Sequence, residues 1–253
     1  MMSMIINADD LGRTQEVNDA TFDLMAKRIA TSATIMANGP WVLGAIKESK
    51  RFPACSFGVH LNLTEFRPMS RSDGLNQLLA ENGEFSGSLE RVPRRFKKTR
   101  ALMSAMADEW CHQIEFLQGA GLQVSHLDSH QHVHTIPLVF PVLKYIQAKY
   151  GIRKVRTTRN VFKAGKGPSS AMRWAKRAYD FSLRHMYATR TTHAFMDFLT
   201  FYERAVMGKQ RWPSAEIMIH PGSPADREEN RLVLSDWLDQ LGGAVQLISY
   251  AEL

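Results

Sequence analysis

Residues 126–134 read HLDSHQHVH, four histidines and an aspartate in nine residues of a chain that has only nine histidines in all. Imidazole and carboxylate groups hold divalent ions and move protons near neutral pH. Similar residues recur elsewhere in the chain, in NADD at 7–10, GVHLNL at 58–63 and IHPG at 219–222. Each group interrupts or terminates an apolar run. A buried carboxylate or imidazole without a partner is costly, so gathering them calls for an ion or a closed hydrogen-bond network. Two imidazoles and one carboxylate make a site for a divalent ion with positions left open for water and substrate.

Taken one at a time these residues are ambiguous. Asp10 also suits the cap of the turn DDLGRT, His60 suits a hydrogen-bonded core position, and any one histidine of the cluster suits a structural place. In an extended chain alternate side chains share a face. His126, Asp128, His130, His132 and His134 therefore lie on one side while the strand persists. Pro137 ends it early, so one or two of these histidines reach a strand-end site, and the pattern leaves open whether His132 or His134 joins it. Successive aspartates at a strand end point opposite ways, so one can bind an ion while the other addresses water or substrate.

The elements that must position these groups alternate in type. Apolar strand segments are expected at 2–9, 30–38, 55–64, 122–130, 152–158, 214–222 and 244–250. Helix-period segments fall between most of them, at 14–28 (opened by a Thr14 cap), 40–50, 101–121, 137–151, 169–187 and 228–243. The polar stretch 66–100 reads as an inserted loop or lid. Strands alternating with helices imply a parallel sheet. About seven such units in this length suit a distorted (β/α) barrel of the TIM type, formed as a single domain over 1–253. In such folds the reactive groups gather at the carboxyl ends of the strands, which is where Asp9, Asp10, His60, Asn62, the histidine cluster and His220 fall.

Composition narrows the class. The 44% hydrophobic and 23% charged content is that of a globular chain. Cys55 and Cys111 form no CxxC pair, which excludes a disulfide scaffold or a cysteine-type zinc module and fits a reducing, cytoplasmic setting. The start, MMSMIINADD, lacks the basic and apolar regions of a signal peptide. No apolar run approaches the roughly 18–20 residues of a membrane span. The net charge of +7 is concentrated, with six basic residues in 91–100 and six in 153–166. These suit a solvated basic surface or an anionic partner. The basic helix expected at 169–187, with Trp174, Tyr179, Phe181, Met186 and Tyr187, reads foremost as an amphipathic core helix. A lipid-linked substrate or a homodimer partner is the other use for such a face.

The motifs NADDLG, TSATIMANG, GVHLNLTE, HLDSHQHVH and IHPG occur in the order found in the YdjC-like carbohydrate deacetylases, the chito-oligosaccharide deacetylases and their hopanoid-pathway relatives. The resemblance runs over roughly 1–160 and returns at 215–225, while 160–210 matches little. It implies a barrel-like fold, one divalent metal (zinc or magnesium, with manganese or cobalt compatible) and removal of an N-acetyl group from an amino sugar, free or lipid-linked. By the same resemblance Asp10, His60 and His130 are the expected metal ligands, Asp9 the general base and His220 the general acid. Asp128, Arg156 and Asn62 are expected to orient these groups or bind substrate, with a surface cation or structural ion pair as the other reading of Arg156. The chain departs from the family at Phe66-Arg67-Pro68, where a small residue such as glycine is common after LNLTE.

Two other classes stay open on residues alone. A metal-dependent phosphoesterase or nuclease would suit a carboxylate–histidine site beside basic segments, although such enzymes often use two metals and more bridging carboxylates. A non-catalytic nucleic-acid-binding module would use the basic runs, but their aromatic residues are scattered rather than interleaved, so no nucleic acid is expected.

Overall fold

A computed structural model of the chain describes residues 1–87, 100–243 and 245–253. Most of the basic run 91–100 lies outside the described residues. Seven strands, β1 (Met2–Leu11), β2 (Ser32–Ile35), β3 (Ser56–Leu61), β4 (Val124–Ser129), β5 (Ala194–Asp197), β6 (Ser214–Ile219) and β7 (Val245–Leu247), form one sheet. The order is β4-β3-β2-β1-β6-β5, β7 also pairs with β1, and every pairing is parallel. β1 is central and almost wholly buried on both faces, Met4, Ile6 and Ala8 on one and Asn7 and Asp9 on the other.

Helices cover the outer face: α1 (Gln15–Ala26), α2 (Val42–Ser49), α3 (Arg100–Gly119), α4 (Phe140–Tyr150), α5 (Ser170–His185), α6 (Phe198–Phe201), α7 (Arg227–Val233) and α8 (Trp237–Gln240). Thr14 caps α1, its hydroxyl accepting from the Val17 N–H at 3.2 Å. The apolar core lies between strand residues such as Met4, Ile6, Ala8, Ile35, Val59, Leu61, Leu127 and Ile217 and helix residues such as Trp110, Ile114, Phe198 and Trp237. The opposite face of the same strands carries polar side chains, so period-two alternation separates an apolar outer layer from a polar interior.

The architecture matches the barrel-like expectation with three differences. The strand expected at 152–158 is reduced to single bridges, Leu127 with Val155 and Lys154 with Arg190, where its backbone bonds to β4 on one side and to Arg190 on the other. The short strand β5 lies in the 160–210 stretch, and Asn160 pairs with its Phe195, so the 154–160 segment bridges the gap between β4 and β5. The helix expected at 228–243 breaks into α7 and α8.

α5 is also not the core helix it resembles in sequence. Only Asp180 and Leu183 are buried. Asp180 anchors the helix by accepting from Thr157 (2.6 Å) and pairing with Arg159 and Arg184 (2.8 Å each). Met172, Trp174 and Phe181 remain exposed. Among the described residues no helix is long and apolar enough to cross a membrane.

Candidate active site

The polar interior face runs up the sheet to the carboxyl ends of the strands. Asn7 and Asp9 of β1, Thr34 of β2, His60 of β3, His126 and Asp128 of β4 and Glu216 of β6 are all buried. They are bonded to one another across strands. Asn7 Nδ2 donates to Asp9 Oδ1 (2.9 Å) and Thr34 Oγ1 (3.2 Å), and the Thr34 hydroxyl donates to Asp128 Oδ2 (3.0 Å). Lower down, His126 stacks on Tyr250 with ring centroids 3.7 Å apart, and Tyr250 donates its hydroxyl to Glu216. Gly58 makes room for this layer, since a Cβ there would lie 2.7 Å from the His126 ring.

At the top, three strand ends converge. Asp10 Oδ1 lies 3.1 Å from His60 Nε2 and 2.8 Å from His130 Nδ1. The donor atoms of Asp10, His60 and His130 all lie within 4.8 Å of one another. Asp10 reaches this position with φ 64°, a left-handed backbone that a non-glycine residue adopts only where its surroundings hold it. His60 presents Nε2 to Asp10 because its Nδ1 is held by Asp128 Oδ1 at 2.7 Å. A carboxylate behind an imidazole in this way fixes the ring for metal binding.

The electrostatics call for positive charge at this point. Five carboxylates (Asp9, Asp10, Glu65, Asp128 and Glu216) gather around two guanidiniums, Arg13 and Arg156. Burial pushes Glu216 up to about 7, which relieves part of the excess. Burial also opposes a charge on His60, yet Asp128, Asp10 and Asp9 raise it to about 10. His130 is raised likewise, against its burial, by Asp10 and Glu65. Asp10 is held well below the usual carboxylate range in spite of burial, by the two histidines. The cluster therefore attracts two positive charges, either as protons on both imidazoles or as one divalent cation in their place. Glu65 Oε2 is buried 3.1 Å from His130 Nε2, so a carboxylate also faces the outer edge of that ring. This nitrogen and oxygen donor set fits a divalent metal ion.

A second group, Asp9, His60 and Asp128, is equally close. Arg156 already supplies its charge. The Arg156 side chain is fully buried, and its Nη2 lies 2.6 Å from Asp9 Oδ1 and 2.7 Å from Asp128 Oδ2. Its Nη1 donates to Asp9 Oδ2 at 2.7 Å and its Nε to Glu216 Oε1 at 2.8 Å. The surface-cation reading of Arg156 is thereby overturned, and a second metal position of the kind a two-metal phosphoesterase uses is filled by the protein's own cation. Arg156→Met should remove the one cation shared by three buried carboxylates, Asp9, Asp128 and Glu216, and destabilise the fold by about 3–5 kcal/mol. At roughly 2–4 °C per kcal/mol for a chain of this size, a thermal melt should fall by about 6–20 °C. A melt unchanged within 2 °C would contradict this account of the network.

A cleft of about 690 Å³ opens above the centre. Asp9, Asp10, Glu65 and His220 line it, with Trp41, Phe66 and Pro221 as apolar walls. Asp9 is only 2% exposed. Burial alone would raise its pKa, but the Arg156 charge and hydrogen bonds reverse this and hold Asp9 ionised far below the usual range. His220 follows β6, and Gly222 (φ 72°) turns the chain behind it where a Cβ would meet the Glu16 carbonyl at 2.6 Å. The His220 N–H donates to Glu229 Oε1 (2.6 Å), which also lies 3.8 Å from His220 Nδ1. Burial pushes Glu229 up to about 7.

Asn62 is fully buried and does not line the cleft. Its Oδ1 accepts from the Thr64 and Glu65 N–H groups (2.9 and 3.1 Å), and its Nδ2 donates to the Glu65 carbonyl (2.7 Å), so it shapes the loop after β3. His132 and His134 follow His130 in a 3₁₀ turn, not a strand, with Gln131 and His132 at positive φ. That kink takes them out of register with the site. His134 is held by Ser129, and His132 packs edge-on to Phe195. Phe66 also has φ 63°. This is backbone that glycine adopts freely and a phenylalanine adopts only where its surroundings hold it. Glu65, Arg13, Thr34 and Glu216 escape sequence reasoning. Glu65 is quoted within GVHLNLTE, but nothing local marks a glutamate in a polar loop as a neighbour of His130, 65 residues away.

The family model described as YdjC-like protein matches residues 3–241. A carbohydrate deacetylase of Geobacillus stearothermophilus is 38% identical over 161 residues, which is 61% of this chain and 60% of that protein. A carbohydrate deacetylase of Vibrio cholerae serotype O1 (O395) is 33% identical over 151 residues, covering 60% of this chain and 57% of the relative. One of Vibrio vulnificus YJ016 is 29% identical over 220 residues, 87% of this chain and 78% of the relative. The match thus spans about 60% of the length of the first two relatives. Among solved structures, a candidate cellobiose-phosphate cleavage protein from Enterococcus faecalis V583 shares the fold, with a TM-score of 0.76 at 22% identity over 99% of this chain and 98% of that one.

Proposed function

The chain belongs to the YdjC-like protein family, and from that premise we propose that it is a metal-dependent hydrolase removing the N-acetyl group of an amino sugar, in an N-acetylglucosamine-containing oligosaccharide or glycolipid. The observation that carries this reading is the convergence of Asp10, His60 and His130 beneath a cleft that Asp9 and His220 also line. The carbohydrate deacetylase relatives support the reaction class.

Asp10, His60 and His130 would hold one divalent ion, zinc or magnesium, with manganese or cobalt also suited to mixed nitrogen and oxygen donors. Such an ion, when bound, polarises an amide carbonyl and acidifies water. Asp9 takes the proton of the attacking water, and Arg156 keeps its carboxylate ionised and in place. His220 gives a proton to the departing nitrogen, because an amine leaves as the neutral species and not as its anion. Glu229 accepts from the His220 backbone N–H at 2.6 Å and so fixes the segment that carries the ring. Water adds to the carbonyl carbon, the carbon–nitrogen bond breaks, and acetate and a free amine result. Trp41 and Phe66 offer apolar faces to a sugar ring in a cleft of ligand size. Cys55 and Cys111 are free thiols, which suits a reducing compartment such as the cytoplasm.

The test is acetate release from N-acetylglucosamine oligomers, with phosphate release from phosphate esters measured in parallel. Acetate should appear, stop on chelation and return when a divalent metal is restored. Failure of the metal-loaded protein to release acetate from any N-acetylated amino sugar would sink the reading.

A further inference from the structure

We propose that Glu65 is a positioning residue for the metal centre, holding the outer edge of the His130 ring so that Nδ1 is the nitrogen turned towards Asp10. This rests on the reading of Asp10, His60 and His130 as metal ligands. The two histidines are treated alike by the fold. His60 faces Asp10 with Nε2 and has Asp128 at its Nδ1, 2.7 Å away. His130 is reversed: Nδ1 faces Asp10, and the group at its Nε2 is Glu65 Oε2, 3.1 Å away. An outer carboxylate of this kind selects which nitrogen keeps its proton and makes the other a better donor.

The loop carrying Glu65 is built to deliver that carboxylate. Asn62 holds its backbone at both the N–H and the carbonyl, and Asn38 Nδ2 also donates to the carbonyl at 3.0 Å. Arg13 fixes the other carboxylate oxygen, with Nη2 and Nε 2.9 and 3.2 Å from Oε1. Arg13 Nη1 in turn lies 3.4 Å from Asp10 Oδ2. Asp10, His130, Glu65 and Arg13 therefore form a closed ring in which each charged group faces its opposite. The saturated bonds of Asn62 find their purpose here, since that side chain sets the loop and the loop sets Glu65.

The experiment is zinc titration of the purified apoprotein against a chromophoric chelator at fixed pH, for wild type, Glu65→Gln and Glu65→Ala, with thermal melts of each apoprotein. Glu65→Ala should weaken zinc binding by about 10–100-fold with its melt unchanged. Glu65→Gln should fall between, because an amide oxygen still accepts from an N–H without supplying charge. With cobalt(II) at saturation, the absorption bands of Glu65→Gln should match wild type, since a positioning residue does not enter the coordination shell. Zinc affinity of Glu65→Ala equal to wild type overturns the assignment, as does a changed cobalt band intensity in Glu65→Gln. Failure of the wild type itself to bind zinc or cobalt is a different result, and it would overturn the underlying metal reading.

Discussion

Asp10→Ala is expected to lose bound metal and deacetylation together. Asp10 Oδ1 is the one atom that both imidazoles face, at 3.1 and 2.8 Å. Without it His60 and His130 remain held by Asp128 and Glu65, so the fold keeps its shape while the central anion is gone. Polarisation of a carbonyl by a bound cation is worth several kcal/mol. A loss of about 5 kcal/mol corresponds to roughly 10³–10⁴ in rate. Metal analysis of the purified variant and acetate release at saturating substrate check both halves. A variant that retains stoichiometric metal would show that Asp10 is not a ligand.

Asp9→Asn is expected to separate the two effects: metal stays and turnover falls by about 10²–10⁴-fold, the usual contribution of a positioned acid or base. Asparagine keeps the shape and one oxygen acceptor but cannot take a proton. It also removes one of the anions around Arg156, so a melt is needed to show that the variant is folded. The neighbouring aspartates divide the work because successive residues of β1 diverge. Asp9 points inward to Arg156, and Asp10 turns through positive φ to meet the histidines. Normal turnover by Asp9→Asn would remove it as the base.

The contrast between these two variants bears on the rival phosphoesterase reading as well. A two-metal site would need Asp9 and Asp128 free to bridge an ion. Both are engaged by Arg156, and Asp128 also binds His60. The cation that would have to be displaced is covalently part of the chain and buried with no exposure.

Some of this was determined by local order along the chain. Alternation of apolar and polar residues is a short-range property, so NADD, GVHLNL and HLDSH announce a polar face ending at strand termini, and α/β alternation places those termini on one rim. Asp9, Asp10, His60, Asp128, His130 and His220 were therefore legible as candidates. Tertiary structure alone decided which of them meet, and through which atoms. Arg156 reads as one more charge in a basic segment, but between β4 and β5 it becomes the buried hub of three carboxylates. His132 and His134 share the parity of His130, yet the kink at Gln131 and His132 sends them elsewhere. Glu65 gains meaning only because the loop after β3 folds back on β4. The strand pattern repeats every two residues and is written into neighbours. Charge compensation joins groups up to 147 residues apart, such as Asp9 and Arg156, and no local pattern can record a pairing that exists only once the sheet has formed.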